Sequence, residues 1–308
     1  MTLALRPLTA EDGEEMAKIV GDYDAFHAGV EDRPSAKDML DWWRRVDLGS
    51  TGVIDENENG RLIGVGYLRS RGPFSIADYY VHPDARGRGA ASLLVDWGER
   101  RTAEAGLGAV RSGTTANDSE GKELLESRDY RYIRSFYRMA VDLLEAPPAP
   151  VWPAGFSVAL EPDEAHVLYE TLEEAFEDHW GHEPRTFEQW MKQNAPLDER
   201  LCYVVRTEEG TPAAAQVCDE ERFGSALVAI LGVRAQWRRQ GLGEALLQQA
   251  FHDLYARGRR RVSLGVDAEN TTGATRLYER VGMTVTLRDD AYEKVLEPAG
   301  VGGGTKLS

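Results

Sequence analysis

Cysteine is nearly absent: Cys202 and Cys218 are the two in 308 residues. Neither belongs to a Cys-x-x-Cys pair or a metal-like cluster, so the chain is not a disulfide scaffold, and a reducing compartment suits it. Both fall in apolar stretches that read as strands, which makes them buried filler rather than nucleophiles. No apolar run approaches the ~20 residues of a membrane-spanning helix, and Met1-Thr2-Leu3-Ala4-Leu5-Arg6 has no long apolar signal core. The expectation is a cytoplasmic protein without a membrane partner. Basic residues are outnumbered, 36 against 52, for a formal charge of −16 spread over both halves. Such acidity opposes binding to nucleic acid and suits a cationic acceptor, although solubility alone also explains it.

What is present is enough for two cores. Hydrophobic residues make up 42% of the chain, and at ~150 residues per domain the length predicts two domains. Glu145-Ala146-Pro147-Pro148-Ala149-Pro150-Val151-Trp152-Pro153 divides them, because prolines remove donors and fix φ. The expected layout is a domain over 1–145, a linker over 146–155, a second domain over 156–298 and a flexible tail over 299–308. The glycine-rich tail is not a phosphate loop, since no Gly directly precedes Lys306.

The halves read as copies. Val81-His82-Pro83-Asp84-Ala85-Arg86-Gly87-Arg88-Gly89-Ala90-Ala91 aligns with Val233-Arg234-Ala235-Gln236-Trp237-Arg238-Arg239-Gln240-Gly241-Leu242-Gly243 at an offset of 152. The same offset relates Leu8 to Leu160, and Asn117 and Asn270 differ by 153. A register kept over that distance indicates internal duplication.

Each copy interleaves strands and helices. In the second, Phe156–Leu160 reads as a strand, and Pro162 opens a helix over Asp163–Glu177. Another helix covers Phe187–Gln193. Leu201–Arg206, Pro212–Val217 and Ser225–Val233 read as strands. Leu242–Arg257 is an amphipathic helix with Leu246, Leu247, Ala250, Phe251, Leu254 and Tyr255 on one face, closed by Gly258. Val262–Val266 is a strand, Thr272–Arg280 a helix, and two strands near Met283–Leu287 and Tyr292–Leu296 end the chain. The first copy repeats this order: Leu3–Leu8, helices over Glu11–Phe26 and Ala36–Val46, strands, a helix over Ala90–Ala105, and strands. The class is α/β (α+β), helices on the faces of a sheet.

The informative segment is Val233 to Leu247. An apolar strand ends, a basic stretch follows, and Gly-x-Gly opens a long helix. A helix N-terminus presents unpaired N–H groups and partial positive charge, and therefore accepts phosphate. Gly241 and Gly243 let backbone approach an anion, and Arg238 and Arg239 add charge. This is not a dinucleotide fingerprint, because Leu246 stands where the third Gly belongs, and Gly-Lys-Ser/Thr is absent.

Arg238-Arg239-Gln240-Gly241-Leu242-Gly243 resembles the Arg/Gln-x-x-Gly-x-Gly/Ala segment of the GCN5-related N-acetyltransferase (GNAT) superfamily, as does Arg86-Gly87-Arg88-Gly89-Ala90-Ala91. The stretch Asn270-Thr271-Thr272-Gly273-Ala274-Thr275-Arg276-Leu277-Tyr278-Glu279 is similar to the superfamily's Asn, Ala-containing helix and Leu-Tyr-Glu. The resemblance implies two tandem acetyltransferase-type domains, each a mixed, mostly antiparallel splayed sheet flanked by helices, using acetyl-CoA and no metal. It implies a cofactor set of Leu231, Val233, Arg238, Arg239, Gln240, Gly241, Leu242, Gly243, Glu244 and Asn270. In the first copy the set is Val81, Arg86, Gly87, Arg88, Gly89, Ala90, Ala91 and Asn117. It implies Asn270 against pantetheine, Tyr278 as the acid protonating the leaving thiolate, and direct attack by the acceptor in a ternary complex. The tandem layout is similar to that of the actinobacterial mycothiol synthases.

The first copy departs from the pattern. Eight residues after Asn117, where Tyr278 follows Asn270, stands Leu125, which cannot donate a proton, so the second domain is expected to be the active one. Backbone N–H groups of Ile230-Leu231-Gly232-Val233 are the expected carbonyl-polarising donors. Ser225–Val233 holds no carboxylate, which leaves Glu177, Asp178, His179 and His182 as candidate bases. His179, Trp180 and His182 are also candidate acceptor contacts, with a solvated helix end as the alternative. His-x-x-His at 179 and 182 lacks a third metal ligand. An N-acetyltransferase of a small amine, as monomer or homodimer, stands beside two alternatives: a non-catalytic acetyl-CoA-binding scaffold, and a protein-lysine acetyltransferase.

Overall fold

The computed structural model describes residues 2–159, 164–194 and 197–296. The expectations for Leu160, Pro162, Asp163 and the tail over 299–308 lie outside them. The chain runs β1 (Leu3–Arg6), α1 (Gly13–Ala28), α2 (Ala36–Trp43), β2 (Gly49–Asp55), β3 (Arg61–Arg71), β4 (Phe74–Val81), α3 (Ala90–Glu104), β5 (Ala109–Thr115), α4 (Ser119–Glu126) and β6 (Arg131–Asp142). The second copy follows as β7 (Phe156–Ala159), α5 (Ala165–Phe176), α6 (Phe187–Asn194), β8 (Cys202–Thr207), β9 (Pro212–Arg222), β10 (Ser225–Val233), α7 (Leu242–Ala256), β11 (Arg261–Asp267), α8 (Ala274–Arg280) and β12 (Thr284–Val295).

Two compact units form, one from Met1–Ser135 with Leu287–Ser308 and one from Phe136–Thr286. Their boundaries fall at 135/136 and 286/287 rather than in the Pro-rich stretch, because each copy's last strand joins the other unit. Residues Phe136–Asp142 of β6 pair antiparallel with β11, from Asp142↔Arg261 to Phe136↔Asp267. Residues Asp289–Val295 of β12 pair antiparallel with β5.

In unit 1 the strand order is β1-β2-β3-β4-β5-β12, and in unit 2 it is β6-β11-β10-β9-β8-β7. All neighbours within each unit are antiparallel except β4/β5 and β10/β11. Those two parallel pairs are short. β4 and β5 pair from Phe74↔Ala109 only as far as Ala77↔Ser112, and β10 and β11 only at Ala226↔Val262 and Leu227↔Ser263. Beyond these points both strands continue without pairing to each other, so each sheet opens into a wedge.

The expected apolar face of α7 is its buried face. Leu246, Leu247, Ala250, Phe251 and Leu254 pack with β9, β10 and β11 residues such as Ala214, Val228 and Leu264, while Tyr255 is half-buried at the edge. On the other face of this sheet, Leu168 and Leu172 of α5 and Trp190 of α6 cover Val204, Ala215 and Val217. Both cysteines are buried, and desolvation pushes the Cys202 thiol up to about 12, which removes its nucleophilic form.

The two strands expected at the chain end are one, β12. Arg288, Asp289 and Asp290, between the two expected strands, lie within it. In the fold the Asp290 carboxylate is buried and accepts from Lys122 Nζ (2.6 Å), Ser135 Oγ (2.7 Å) and Arg288 Nε (2.9 Å). Those bonds let a charged residue sit in the middle of a strand.

Candidate active site

In unit 2 the wedge is lined on one side by the end of β10. The register between β9 and β10 shifts between Val228 and Ile230, a one-residue bulge at the start of the unpaired stretch. Past Leu227, one edge of β10 has no strand partner. Alternate N–H groups of residues 228–233 therefore lack a strand partner on that edge among the described residues.

A short 3-10 turn, Ala235–Trp237, leads from β10 into the loop. Arg239 (φ 64°) and Gly241 (φ 87°) take left-handed backbone, and Leu242 begins α7. In unit 1, Gly87 (φ 68°) and Gly89 (φ 89°) repeat that conformation before Ala90. Arg239 thus holds a conformation that its counterpart reaches with glycine, at a strain of ~1 kcal/mol. Ala245 N–H bonds back to Gly241 C=O (3.0 Å), as Leu93 N–H does to Gly89 C=O (3.2 Å). The N–H groups that precede it are those a helix start leaves without an intrahelical partner. A Cβ on Gly243 would lie 3.0 Å from Leu277 Cδ2, with Leu231 and Val233 just beyond. Gly241, Gln240 and Arg239 are exposed, Leu242 is buried, and Glu244 is partly buried. Among the described residues the Arg239 guanidinium meets no carboxylate.

Arg238 has a different role from the one expected. Its guanidinium donates to Val233 C=O (3.0 Å), Ala175 C=O (2.8 Å) and both oxygens of Asp178 (2.5 and 2.8 Å). It braces the end of β10 against the end of α5 and is not available to phosphate. The same contact removes Asp178 as a base, because the Arg238 hydrogen bonds hold its carboxyl below the usual carboxylate range. In unit 1, Arg86 pairs with Glu120 (2.7 Å) and lies over the Phe26 ring, and Arg88 pairs with Asp55. These arginines too are spent on protein partners.

Among the other candidate bases, Glu177 is exposed at the helix end. His182 Nε2 is 3.8 Å from Glu173, whose other oxygen is held by Arg185. His179 is half-buried, with its ring 4.4 Å from that of Phe176. Burial keeps its pKa below the ordinary imidazole value, although Asp178 and Asp267 pull it up. Asp267 is the last residue of β11, so His179 lies within electrostatic reach of the wedge's far wall. Trp180 is 44% exposed, with its ring 6.5 Å from that of Phe136.

Tyr278 lies on α8, 8% exposed and packed among the α7 and β11 core residues. Desolvation alone pushes its hydroxyl up to about 12. Asn270 Oδ1 accepts from Thr272 N–H (2.8 Å) and Thr272 Oγ1 (2.5 Å), which orders the turn before α8 and leaves the amide NH₂ for another partner. In unit 1 the matching amide is occupied, since Asn117 Nδ2 donates to His27 C=O (3.0 Å). Leu125, at the position matching Tyr278, is buried.

The GNAT acetyltransferase family model matches residues 16–128 and 165–283, one match per copy. The chain belongs to the GNAT acetyltransferase family. Among relatives, the mycothiol acetyltransferase of Streptomyces griseus is 29% identical over 255 residues, 76% of this chain and 77% of that one. That of Streptomyces scabiei is 30% identical over 251 residues, 75% and 76%. A GCN5-related N-acetyltransferase from Sphaerobacter thermophilus has a TM-score of 0.82 at 31% identity, covering 96% of both chains. A tandem GNAT protein from the clavulanic acid biosynthesis pathway shares the fold, with a TM-score of 0.72 at 18% identity, over 97% of this chain and all of that one.

Proposed function

We propose that this GNAT-family chain transfers the acetyl group of acetyl-CoA to a primary amine of a small molecule, in unit 2, by direct attack. The observation that carries the reading is the Arg239–Gly243 turn at the start of α7, which follows the strand β10 that parts from β11. The N–H groups from Arg239 to Glu244 take the diphosphate, with Arg239 supplying the free positive charge. The Asn270 amide reaches the pantetheine, and the unpaired edge of β10 polarises the thioester carbonyl.

His179 is the proton acceptor in this reading. An imidazole kept neutral by burial can accept the one proton that the attacking neutral amine loses, whereas Asp178 is held by Arg238. The amine nitrogen bonds to the acyl carbon and yields its proton to His179. The carbon–sulfur bond breaks with its electron pair on sulfur, which leaves as a thiolate stabilised by a hydrogen bond from the Tyr278 hydroxyl and then takes a proton from solvent. The half-exposed Trp180 and nearby His182 line the approach of the acceptor. The names of the mycothiol acetyltransferase relatives favour a small-molecule acceptor over a protein lysine.

The test is thiol release from acetyl-CoA across glucosamine, ethanolamine, putrescine and lysine methyl ester, with the acetylated product identified by mass. Amine-dependent release is expected with at least one of them. Acetyl-CoA binding without release from any would favour the scaffold reading.

A further inference from the structure

The wedge of unit 1 is not filled in to match the loss of its tyrosine. It encloses a cleft of about 340 Å³, the size of a small-ligand site, lined by the Arg86–Ala91 loop on one side and by Tyr23, His27, Thr114 and Asp118 on the other. Ser112 stands at the apex, in the last residue pair before β4 and β5 part. It is 3% exposed, it faces the cleft, and its Oγ finds no hydrogen-bond partner among the described residues. A buried hydroxyl without a partner costs ~1–3 kcal/mol, which a ligand amide at that point would recover.

The polar wall is organised around one carboxylate. Asp118 Oδ2 accepts from Tyr23 OH (3.0 Å) and Thr114 Oγ1 (3.1 Å), and Oδ1 accepts from Gly121 N–H (3.0 Å). A Cβ at position 121 would come within 2.5 Å of Asp118, so glycine is needed for this packing. His27 Nε2 lies 3.8 Å from Asp118 Oδ2, with its ring 4.5 Å from that of Tyr23 and its carbonyl fixed by Asn117. His27 is 9% exposed and lines the cleft. It occupies the repeat position of His179, at the offset of 152 that relates the two phosphate loops. His27 is the penultimate residue of α1, whereas His179 lies three residues beyond the end of α5.

We propose that unit 1 is a second acyl-transfer site, in which His27, backed by Asp118, takes the proton of the acceptor amine and returns it to the departing sulfur. This rests on the acetyltransferase reading above. The amine nitrogen bonds to the acyl carbon while its proton passes to the His27 imidazole, and Asp118 stabilises the imidazolium. The carbon–sulfur bond breaks with its electron pair on sulfur, which takes the same proton from His27. One histidine acting in both directions makes a tyrosine at position 125 unnecessary. The charged groups facing His27 are Asp118, Glu120, Asp24 and Arg86; burial outweighs the acids and keeps the imidazole neutral near pH 7.

The test begins from full-length chain carrying His179→Gln and Tyr278→Phe, assayed by thiol release with the four amines above. Residual turnover is expected, and His27→Gln added to that background lowers it by about 10²-fold. The melting temperature and a stoichiometry of two acetyl-CoA per chain stay unchanged. In the same background, His27→Ala is inactive and regains turnover with added imidazole, which a merely structural histidine would not allow. Absence of residual turnover, or residual turnover indifferent to His27, overturns the second site while leaving the unit 2 reading intact. A wild-type chain that releases no thiol with any amine overturns the acetyltransferase reading and this inference with it.

Discussion

Replacing Tyr278 by Phe removes one oxygen from a core position and probes the acid step. Burial holds the Tyr278 proton up to about 12, against ~8.5 for an ordinary thiol. The phenol is therefore the weaker acid by about 3.5 pKa units, and full transfer to the sulfur is uphill by roughly 5 kcal/mol. Tyr278 must act chiefly by donating a hydrogen bond to charge developing on sulfur. That places its contribution at the lower end for general acids, about 10²-fold in kcat or ~2.7 kcal/mol. Steady-state thiol release should show that drop with the dissociation constant for acetyl-CoA nearly unchanged. The background for this measurement is the His27→Gln chain, which isolates unit 2. A melting temperature close to that of the wild type would confirm that packing survives. Unchanged kcat in Tyr278→Phe would refute the assignment, and a loss confined to acetyl-CoA affinity would make Tyr278 a binding residue.

In the same background, kcat/KM for an amine should show a limb that rises with pH through a value below 6.5, because the pKa of His179 is lowered and its neutral form is the working one. His179→Gln should abolish that limb. The same lowered value means the unfolded chain takes up the proton first, so unfolding experiments should show stability falling as pH drops from about 6.5 toward the folded-state value. Asp178→Asn should loosen the Arg238 brace and raise KM while keeping the limb, as read from initial rates. Leu246→Ala, at a fully buried position beneath the cradle, should cost ~2–5 kcal/mol by denaturant unfolding. A cost under 1 kcal/mol would show that α7 is not packed as described.

The duplication and α7 were legible because periodic apolar residues and repeated glycines are local signals. The exchange of β6 and β12 was not, since strand partners are chosen by non-local pairing and both strands look alike in sequence. The phosphate loop could be read from Gly241 and Gly243, yet the direction of the Arg238 side chain could not. Its commitment to Asp178 joins residues 60 apart. Ser112, Tyr23 and Asp118 carry no motif, and only the wedge brings them together. His27 did have a signal: stepping back 152 residues from His179 lands on it.

The most direct measurement is calorimetric titration of the chain with acetyl-CoA, repeated with Gly241→Val. The account predicts saturable binding by the wild type and a marked loss at unit 2 in the variant, where a branched side chain must adopt φ near 87° in the cradle. No heat and no thermal shift on adding acetyl-CoA would contradict it.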